Sequence, residues 1–370
     1  MLYILTLYVN SYKMKILHIA DLIPPHPANG ITEVINNLMP AQRELGHHVE
    51  CGILISRYAG MYGGENYLNF AGFFNFKEYI EEHNPDIVIF HSLYYLRYVL
   101  FARFLRSKSI PYCIEFHGGA TIQNYKKNRF LKRIFRYLFT NKFVEQASGI
   151  IYLNKEEQDS SVFHINNNQR CIIPNGITPR IYPPGERVGK VRFIYLGRMD
   201  ICQKGLDILF KALKILPSTI LEKTEFNFYG PNPPDIFIKW INELPNCHYH
   251  GSVYGQKKFE ALSQNDIFIL TSRYEGMPMA VLEALGSGLP CLVTPETNMG
   301  TEIRSFDAGW VSDLKPEKIA ETIESAINEF KERRVELSQN AYKIANTYSW
   351  SNIAQKSVDA YRYFINGKPE

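Results

Sequence analysis

A short apolar run, followed at once by a loop and a helix, is the feature that most restricts the fold. Residues 266–271 (D-I-F-I-L-T) read as a strand buried on both faces, which is typical of a parallel sheet. Pro278 suits a first helical position, and Gly288 with Pro290 marks the end of that helix. Residues 275–277 then lie at the carboxyl end of a strand, where open α/β sheets bind ligands.

The start of this helix is predicted to bind phosphate. The free N–H groups of residues 277–280 would face the ligand crevice, and a helix N-terminus attracts anions. Glu275 precedes the helix, and Glu283 lies about a turn and a half inside it. A ligand across the helix start could meet a carboxylate at each end, with its phosphates between them. The alternative is an ordinary strand-loop-helix with two solvated glutamates.

A second candidate site lies in residues 195–207 (Y-L-G-R-M-D-I-C-Q-K-G-L-D). This segment runs from a strand end through Arg198 into a helix expected to begin near Gly205. Lys204 would then lie at a helix N-terminus, where the dipole disfavours a cation by ~0.3–1 kcal/mol. Such a placement is favourable if an anion lies between the Lys204 ammonium and the helix N-terminus. The alternative is a solvated Arg and Lys at a domain edge.

The glutamate pair and the small apolar residues around it resemble the E-x7-E motif of family 4 (group 1) of the retaining nucleotide-sugar glycosyltransferases. The resemblance implies the GT-B fold, an α/β architecture of two Rossmann-like, doubly wound domains facing across a cleft. It implies that Glu275 contacts hydroxyls of the donor sugar and Glu283 the ribose. It also implies that Arg198 and Lys204 hold the diphosphate as the glycosidic bond breaks. The residues implied to bind the donor nucleotide sugar are Gly30, Arg198, Lys204, Gly276, Met277, Pro278, Met279, Ala280, Glu283 and Glu302.

The first half of the chain matches the family less closely. Gly30 occupies the place of the family's glycine-rich loop, with Asn29 where the family usually has a second glycine. His117 follows a predicted strand, and the resemblance implies that it joins Glu275, Arg198 and Lys204 in catalysis by binding a sugar hydroxyl. His91 has a similar strand-end position and could line the acceptor side. For a strand-end histidine a structural role is the alternative.

Length and composition favour about two domains in a chain of 370 residues. The expected domains are an N-terminal acceptor domain over 14–178 and a C-terminal donor domain over 190–348. The helix at 350–366 is expected to pack back on the first domain, as in GT-B enzymes. Residues 1–13 are interpreted as an extension, and the Pro- and Gly-rich residues 178–190 as a linker.

The alternation of strands and helices is the pattern of a doubly wound fold. Strands are expected at 15–20, 49–55, 86–90, 112–116, 149–153, 192–196, 225–229, 267–271 and 290–294. Helices are expected at 31–45, 205–216, 256–263, 278–287, 315–329 and 348–364. Asn175-Gly176 is interpreted as a structural turn.

Cysteine usage and hydropathy indicate the cellular compartment in which the protein is expected. The six cysteines lie far apart without a C-x-x-C, which argues for reduced thiols in the cytosol and against a zinc site. No run reaches the ~18 apolar residues that span a bilayer. We therefore expect a cytoplasmic protein, and association with the inner face of the plasma membrane is one of the two interpretations of the basic residues described next. The resemblance implies no metal and no cofactor besides a UDP-, GDP- or ADP-sugar donor.

Residues 125–139 carry six basic residues and no acid, with apolar residues at helical spacing. Residues 94–108 are similar in character. Basic, aromatic helices of this kind can bind an anionic membrane surface. The alternative is a merely solvated basic face. Nucleic-acid binding is not expected, because no known RNA- or DNA-binding pattern accompanies these residues.

The resemblance thus implies a retaining, metal-independent glycosyltransferase of the hexosyltransferase type. It would move a sugar from a nucleotide-diphosphate sugar to a glycan or lipid-linked acceptor, in bacterial surface polysaccharide synthesis. One alternative is another GT-B activity, such as a sugar-nucleotide epimerase or a phosphorylase. Another is a non-catalytic, membrane-docked scaffold, against which the intact set of Arg198, Lys204, Glu275 and Glu283 argues.

Overall fold

The chain divides into two compact units, each built around one parallel sheet. The first unit comprises Met1–Pro174 and Trp350–Glu370, and the second comprises Asn175–Ser349. The structure is a computed structural model. It describes residues 12–21, 30–54, 67–70, 72–122, 133, 135–163, 169–181 and 189–366.

The sheet of the first unit has seven strands, all paired in parallel, in the order β3-β2-β1-β4-β5-β6-β7. The strands are β1 (Lys15–Ala20), β2 (His48–Ile53), β3 (Tyr67–Asn69), β4 (Ile87–His91), β5 (Tyr112–Glu115), β6 (Gly149–Tyr152) and β7 (Arg170–Ile172). The helices are α1 (Gly30–Glu44), α2 (Phe73–His83), α3 (Leu96–Ser107), a π-helix (Arg136–Thr140), α4 (Asn141–Glu145) and α5 (Lys155–Asp159). Every residue of β4, β5 and β6 is buried, as expected for strands covered on both faces.

The sheet of the second unit has six parallel strands in the order β10-β9-β8-β11-β12-β13. The strands are β8 (Val191–Leu196), β9 (Thr224–Tyr229), β10 (Cys247–Tyr249), β11 (Ile267–Leu270), β12 (Cys291–Val293) and β13 (Gly309–Val311). The helices are α6 (Ile201–Lys204), α7 (Leu206–Ile215), α8 (Ser218–Leu221), α9 (Asp235–Glu243), α10 (Gln256–Ser263), α11 (Met279–Gly286), a 3-10 helix (Pro295–Thr297), α12 (Gly300–Ser305) and α13 (Pro316–Thr347).

The last helix, α14 (Trp350–Asn366), returns to the first unit and packs on α1. Its buried side is apolar except for Ser357, whose hydroxyl accepts a hydrogen bond from the Gln42 amide on α1 at 2.8 Å. Helix α1 runs unbroken through Pro40 to Glu44. No helix in the described part of the chain is both long and apolar enough to cross a membrane.

Most predicted elements are present, but the helices α2 and α9 and several short elements were not predicted. The three-residue strands β3, β7, β10 and β13 were not predicted, because so few residues carry little periodicity. The helix predicted at 315–329 was too short, since α13 continues through polar residues to Thr347. All six cysteines are unpaired, as their spacing predicted.

Candidate active site

The loop between β11 and α11 holds Glu275 in a buried ion pair with Lys204. The ammonium Nζ lies 2.6 Å from Glu275 Oε1, and the side chains are only 12% and 9% exposed. The Ser272 hydroxyl donates a second hydrogen bond to the same oxygen, also at 2.6 Å. Since these contacts use Oε1, the other carboxylate oxygen can accept a hydrogen bond from a ligand.

The Glu275 loop is braced from the neighbouring segment. The Asn298 amide donates to the backbone carbonyls of Glu275 at 2.8 Å and Gly276 at 3.1 Å. Asn298 has a φ of 60°, a left-handed conformation that asparagine tolerates better than most residues. The Glu275 N–H donates to the Glu296 carbonyl at 3.1 Å. The loop therefore has a defined shape before any ligand binds.

The helix start differs from the prediction by one residue. Pro278 is the residue before the helix, α11 begins at Met279, and the Pro278 carbonyl accepts from Val281 N at 3.1 Å. Proline has no N–H, so of residues 277–280 only Met277, Met279 and Ala280 have an amide to offer a ligand. The predicted row of four donors was wrong at Pro278.

Lys204 is the last residue of the one-turn helix α6 and does not begin a helix. Its Gly205 neighbour has a φ of 64° and joins α6 to α7. A Cβ at Gly205 would lie 2.0 Å from the Thr271 carbonyl oxygen, so only glycine fits there. The helix expected over 205–216 is present as α7, one residue shorter at each end, but the separate turn α6 before it was not predicted. The anion that the sequence argument required beside Lys204 is supplied by Glu275.

Arg198 follows β8 and has an exposed side chain. Its guanidinium donates to the Gln203 side-chain oxygen at 3.2 Å, and its carbonyl accepts from the Tyr195 hydroxyl at 2.7 Å. The neutral amide of Gln203 leaves the charge of Arg198 uncompensated at this contact. Because β8 and β11 are neighbours in the sheet, Arg198 and Glu275 belong to the same carboxyl edge.

Glu283 is also held in a buried ion pair, with a partner that sequence reasoning missed. Lys258 on α10 places its Nζ 2.6 Å from Glu283 Oε1, and the side chains are 13% and 6% exposed. The same ammonium lies 5.1 Å from the centre of the Phe259 ring. No motif marked Lys258, because its contact joins two residues 25 positions apart on different helices. Each glutamate of the predicted motif thus has its own lysine.

Glu302, Gly30 and Asn175 are three further residues that the sequence analysis named. Glu302 lies on α12 and accepts a hydrogen bond from the Tyr348 hydroxyl at 3.2 Å. Gly30 is the exposed first residue of α1, while Asn29 lies outside the described residues. Asn175 does more than form a turn, since its amide donates to the Met277 carbonyl at 3.2 Å.

His117 belongs to a buried histidine cluster, which we define as His18, His91, His117 and Glu115. His117 Nε2 lies 2.8 Å from His91 Nδ1, and His91 Nε2 lies 2.8 Å from His18 Nδ1. The Glu115 carboxylate lies 3.4 Å from His91 Nδ1 and 3.5 Å from His117 Nε2. His91 therefore contacts two histidines inside the first unit.

Burial keeps the histidine cluster uncharged near neutral pH. It lowers the pKa of His117 to about 3 and that of His18 to about 4. It lowers the pKa of His91 as well, with further contributions from the other two rings. Burial, with a smaller contribution from Glu157, raises the pKa of Glu115 to about 8. The cluster can therefore donate and accept hydrogen bonds without carrying a net charge.

Both halves of the chain match glycosyltransferase family models. Residues 182–344 match the model described as "Glycosyl transferases group 1", and residues 28–180 match "Glycosyltransferase Family 4". One subunit of the human phosphatidylinositol N-acetylglucosaminyltransferase is 22% identical over 94% of this chain and 75% of its own length. An Escherichia coli UDP-Gal:alpha-D-GlcNAc-diphosphoundecaprenol alpha-1,3-galactosyltransferase is 22% identical over 56% of this chain and 58% of its own.

Solved structures agree with the fold. WaaG, a glycosyltransferase involved in lipopolysaccharide biosynthesis, matches with a TM-score of 0.68 and 18% identity, over 95% of this chain and all of that one. Anabaena Alr3699/HepE in complex with UDP and glucose matches with a TM-score of 0.70 and 15% identity, over 94% and 99% of the two chains. The chain therefore has the GT-B fold and belongs to family 4 (group 1) of the glycosyltransferases.

Proposed function

We propose that this glycosyltransferase is a retaining, metal-independent hexosyltransferase that uses a nucleotide-diphosphate sugar as donor. The observation that carries the proposal is the buried Lys204–Glu275 pair beside the N-terminus of α11. One carboxylate oxygen, one ammonium and the first amides of a helix are the groups that a sugar diphosphate requires. Of the expected donors, UDP-sugars are favoured, because relatives are named as using UDP-Gal or binding UDP.

The proposed chemistry needs positively charged side chains beside the leaving phosphate. The bond between the anomeric carbon and the β-phosphate oxygen breaks, and its electron pair stays on the phosphate. The acceptor oxygen bonds to the same face of the anomeric carbon, and its proton passes to the leaving phosphate oxygen. Arg198 and Lys204 would stabilise the charge that builds up there, which is why no metal ion is required. Glu275 would orient the sugar through its second carboxylate oxygen.

Glu283 and its neighbours would bind the rest of the donor. We propose that the Glu283 carboxylate contacts the ribose, while Lys258 fixes its position at 2.6 Å. Gly276, Met277, Met279 and Ala280 would present backbone amides to the phosphates. The same proposal gives a part in binding the donor to Pro278, Gly30, Glu302 and His117. The contacts that each of them makes within its own unit are compatible with that part.

A transfer assay tests the proposal. The enzyme is incubated with UDP-, GDP- and ADP-sugars and with lipid-linked or glycan acceptors, and the products are separated from free sugar. We expect transfer from one donor class, with UDP-sugars foremost. Formation of an epimer from the donor alone would show that the enzyme is an epimerase. A strict requirement for inorganic phosphate would show that it is a phosphorylase.

We further propose that the acceptor is lipid-linked and that the first unit contacts an anionic membrane in the cytoplasm. Relatives are named as acting on diphosphoundecaprenol-linked acceptors. Exposed apolar side chains lie on α3 and on the π-helix, two elements in contact with each other, and exposed arginines lie on α3 and just before the π-helix. They include Leu96 (49% exposed), Leu100 (47%), Tyr137 (81%) and Leu138 (56%), beside the exposed Arg97, Arg103, Arg106 and Arg133. Residues 125–132 and 134 of the predicted basic helix lie outside the described residues.

Sedimentation with lipid vesicles tests this surface. We expect binding to anionic vesicles at low salt, little binding to neutral ones, and release at high salt, since the Debye length falls from ~10 Å at 0.1 M to ~3 Å at 1 M. Replacing Lys126, Lys127, Arg129 and Arg133 together by Gln should abolish binding. The matched control replaces four exposed lysines of the second unit, Lys211, Lys318, Lys331 and Lys343. Equal loss in both variants would show a nonspecific charge effect.

A further inference from the structure

A row of buried hydrogen bonds connects His117 to the last helix. From His117 it passes through His91 and His18, at 2.8 Å each, to the Gln42 side-chain oxygen at 2.9 Å. The Gln42 amide nitrogen then donates to the Ser357 hydroxyl at 2.8 Å. Ser357 in turn donates to the Ala354 carbonyl on α14 at 2.7 Å. All these side chains except His117 are less than 2% exposed.

The direction of every hydrogen bond in this row follows from its last acceptor. A backbone carbonyl can only accept, so the Ser357 hydroxyl proton is directed to Ala354 and its oxygen must accept from Gln42. The Gln42 group that faces Ser357 is therefore the NH₂, and the group that faces His18 is the carbonyl oxygen. A carbonyl oxygen requires a proton on His18 Nε2.

The same logic sets the histidine tautomers. Each ring is neutral, because burial lowers its pKa well below 7. A neutral imidazole with a proton on Nε2 has a lone pair on Nδ1. His18 Nδ1 therefore accepts from His91 Nε2, and His91 Nδ1 accepts from His117 Nε2. His117 is left with its lone pair on Nδ1.

The backbone holds His117 in the position that this row requires. Its φ is 50°, a left-handed conformation that a non-glycine residue adopts at a cost of about 1 kcal/mol or more. The next residue, Gly118, also has a positive φ, and its N–H donates to the buried carboxylate of Glu157. That carboxylate also accepts from Leu153 N at 2.7 Å. The Glu157 carboxylate thus ties the turn that carries His117 to the backbone at Leu153.

The separation of His91 from His117 is that of a hydrogen bond. These two residues and Glu115 do bring three potential metal-ligand atoms within 4.8 Å of one another. The two ring nitrogens, however, lie at the hydrogen-bond distance of 2.8 Å. Nitrogens bound tetrahedrally to Zn²⁺ at their usual bond lengths would be about 3.3 Å apart.

We propose that His18, His91 and Gln42 are positioning residues that fix His117 in the Nε2–H tautomer, so that its Nδ1 can only accept a hydrogen bond. The chemical class of ligand that this nitrogen takes is a hydroxyl group, which must donate its proton. This inference rests on the proposed function in one respect only, namely that the hydroxyl belongs to the donor sugar. The tautomers themselves are a property of the free protein.

Histidine-selective ¹⁵N NMR of the full-length protein without ligand measures these tautomers directly. In the wild type we expect a proton on Nε2 and none on Nδ1 in His18, His91 and His117. The isosteric change Gln42→Glu should reverse the direction of the two hydrogen bonds between the histidines. A carboxylate beside His18 favours its doubly protonated form, whose Nδ1–H then donates to His91. His91 and His117 would consequently both carry their proton on Nδ1.

The matched control is Gln146→Glu, which makes the same change at an exposed position of the same unit and should leave all three tautomers unchanged. A wild-type His117 protonated on Nδ1, or tautomers unmoved by Gln42→Glu, would overturn the proposal. So would a bound divalent ion with both His91 Nδ1 and His117 Nε2 unprotonated. The wild-type measurement decides the matter even if the variant does not fold.

Kinetics separate this inference from the proposed function. Because His117 Nδ1 becomes a donor in Gln42→Glu, we expect kcat/KM for transfer to fall by about tenfold, the equivalent of one hydrogen bond. Inverted tautomers with unchanged kcat/KM would support the positioning role and refute the proposed contact between His117 and the sugar. Absence of any transfer in the wild type would refute the proposed function and leave the NMR result standing.

Discussion

The Lys204–Glu275 pair should be strongly coupled in the free enzyme. At 2.6 Å and with side chains about nine-tenths buried, each charge depends on the other for compensation. Removing one partner of such a pair typically costs about 3–5 kcal/mol, because the remaining charge stays buried and unpaired. We therefore expect Lys204→Met and Glu275→Gln each to lower the free energy of unfolding of the second unit by about 3 kcal/mol. The double variant should lose much less than the sum.

A double-mutant cycle measures this coupling. Urea unfolding of the four proteins, followed by the fluorescence of Trp240 and Trp310 in the second unit, should give a coupling energy of about 2–3 kcal/mol. The matched control is the exposed pair Lys318–Glu321, with a similar separation of 2.7 Å and side chains 52% and 62% exposed. Its coupling should be far weaker than that of the Lys204–Glu275 pair, because water and salt screen exposed charges. Equal coupling energies in the two cycles would refute the argument that burial makes the Lys204–Glu275 pair strong.

Arg198, Glu283 and Glu115 each give one further prediction. Arg198→Ala should lower kcat by about 10²-fold through lost charge stabilisation while the fold is unchanged, and steady-state kinetics with circular dichroism check this. Glu283→Ala should weaken nucleoside-diphosphate binding through the lost ribose contact, measurable by calorimetry; unaltered affinity would contradict the assignment. Burial raises the pKa of Glu115 to about 8, so between about pH 5 and 8 the folded state holds a proton that the unfolded chain has lost. The wild type should therefore lose stability relative to Glu115→Gln as pH rises through this window, a comparison in which the opposite contribution of the buried histidines cancels; parallel profiles of the two proteins would show that Glu115 is already ionised.

The fold was predictable where the sequence carries long or strongly apolar signals. The run before Glu275 predicted the buried strand β11, and Pro278 with Gly288 placed α11 within one residue at each end. Strand order could not be predicted in the same way, because pairing depends on packing between distant segments. The helical turn that ends at Lys204 was missed, since four residues give no periodic pattern.

The candidate site was predictable in its residues but not in its contacts. Glu275, Glu283, Lys204 and Arg198 came from spacing and family resemblance. The partners that hold the glutamates belong to other elements, so no local pattern reveals Lys258 or Asn298. His18 was likewise absent from the sequence argument, because its contact with His91 exists only when β1 and β4 are neighbours.

The stereochemistry of sugar transfer tests the central claim most directly. The reaction is run with the preferred nucleotide sugar in the presence of EDTA, and ¹H NMR determines the anomeric configuration of the product. If Arg198 and Lys204 support retaining transfer without a metal ion, the product has the same anomeric configuration as the donor. Turnover is then unaffected by EDTA. An inverted product, or activity that disappears in EDTA and returns only with a divalent ion, would contradict the account.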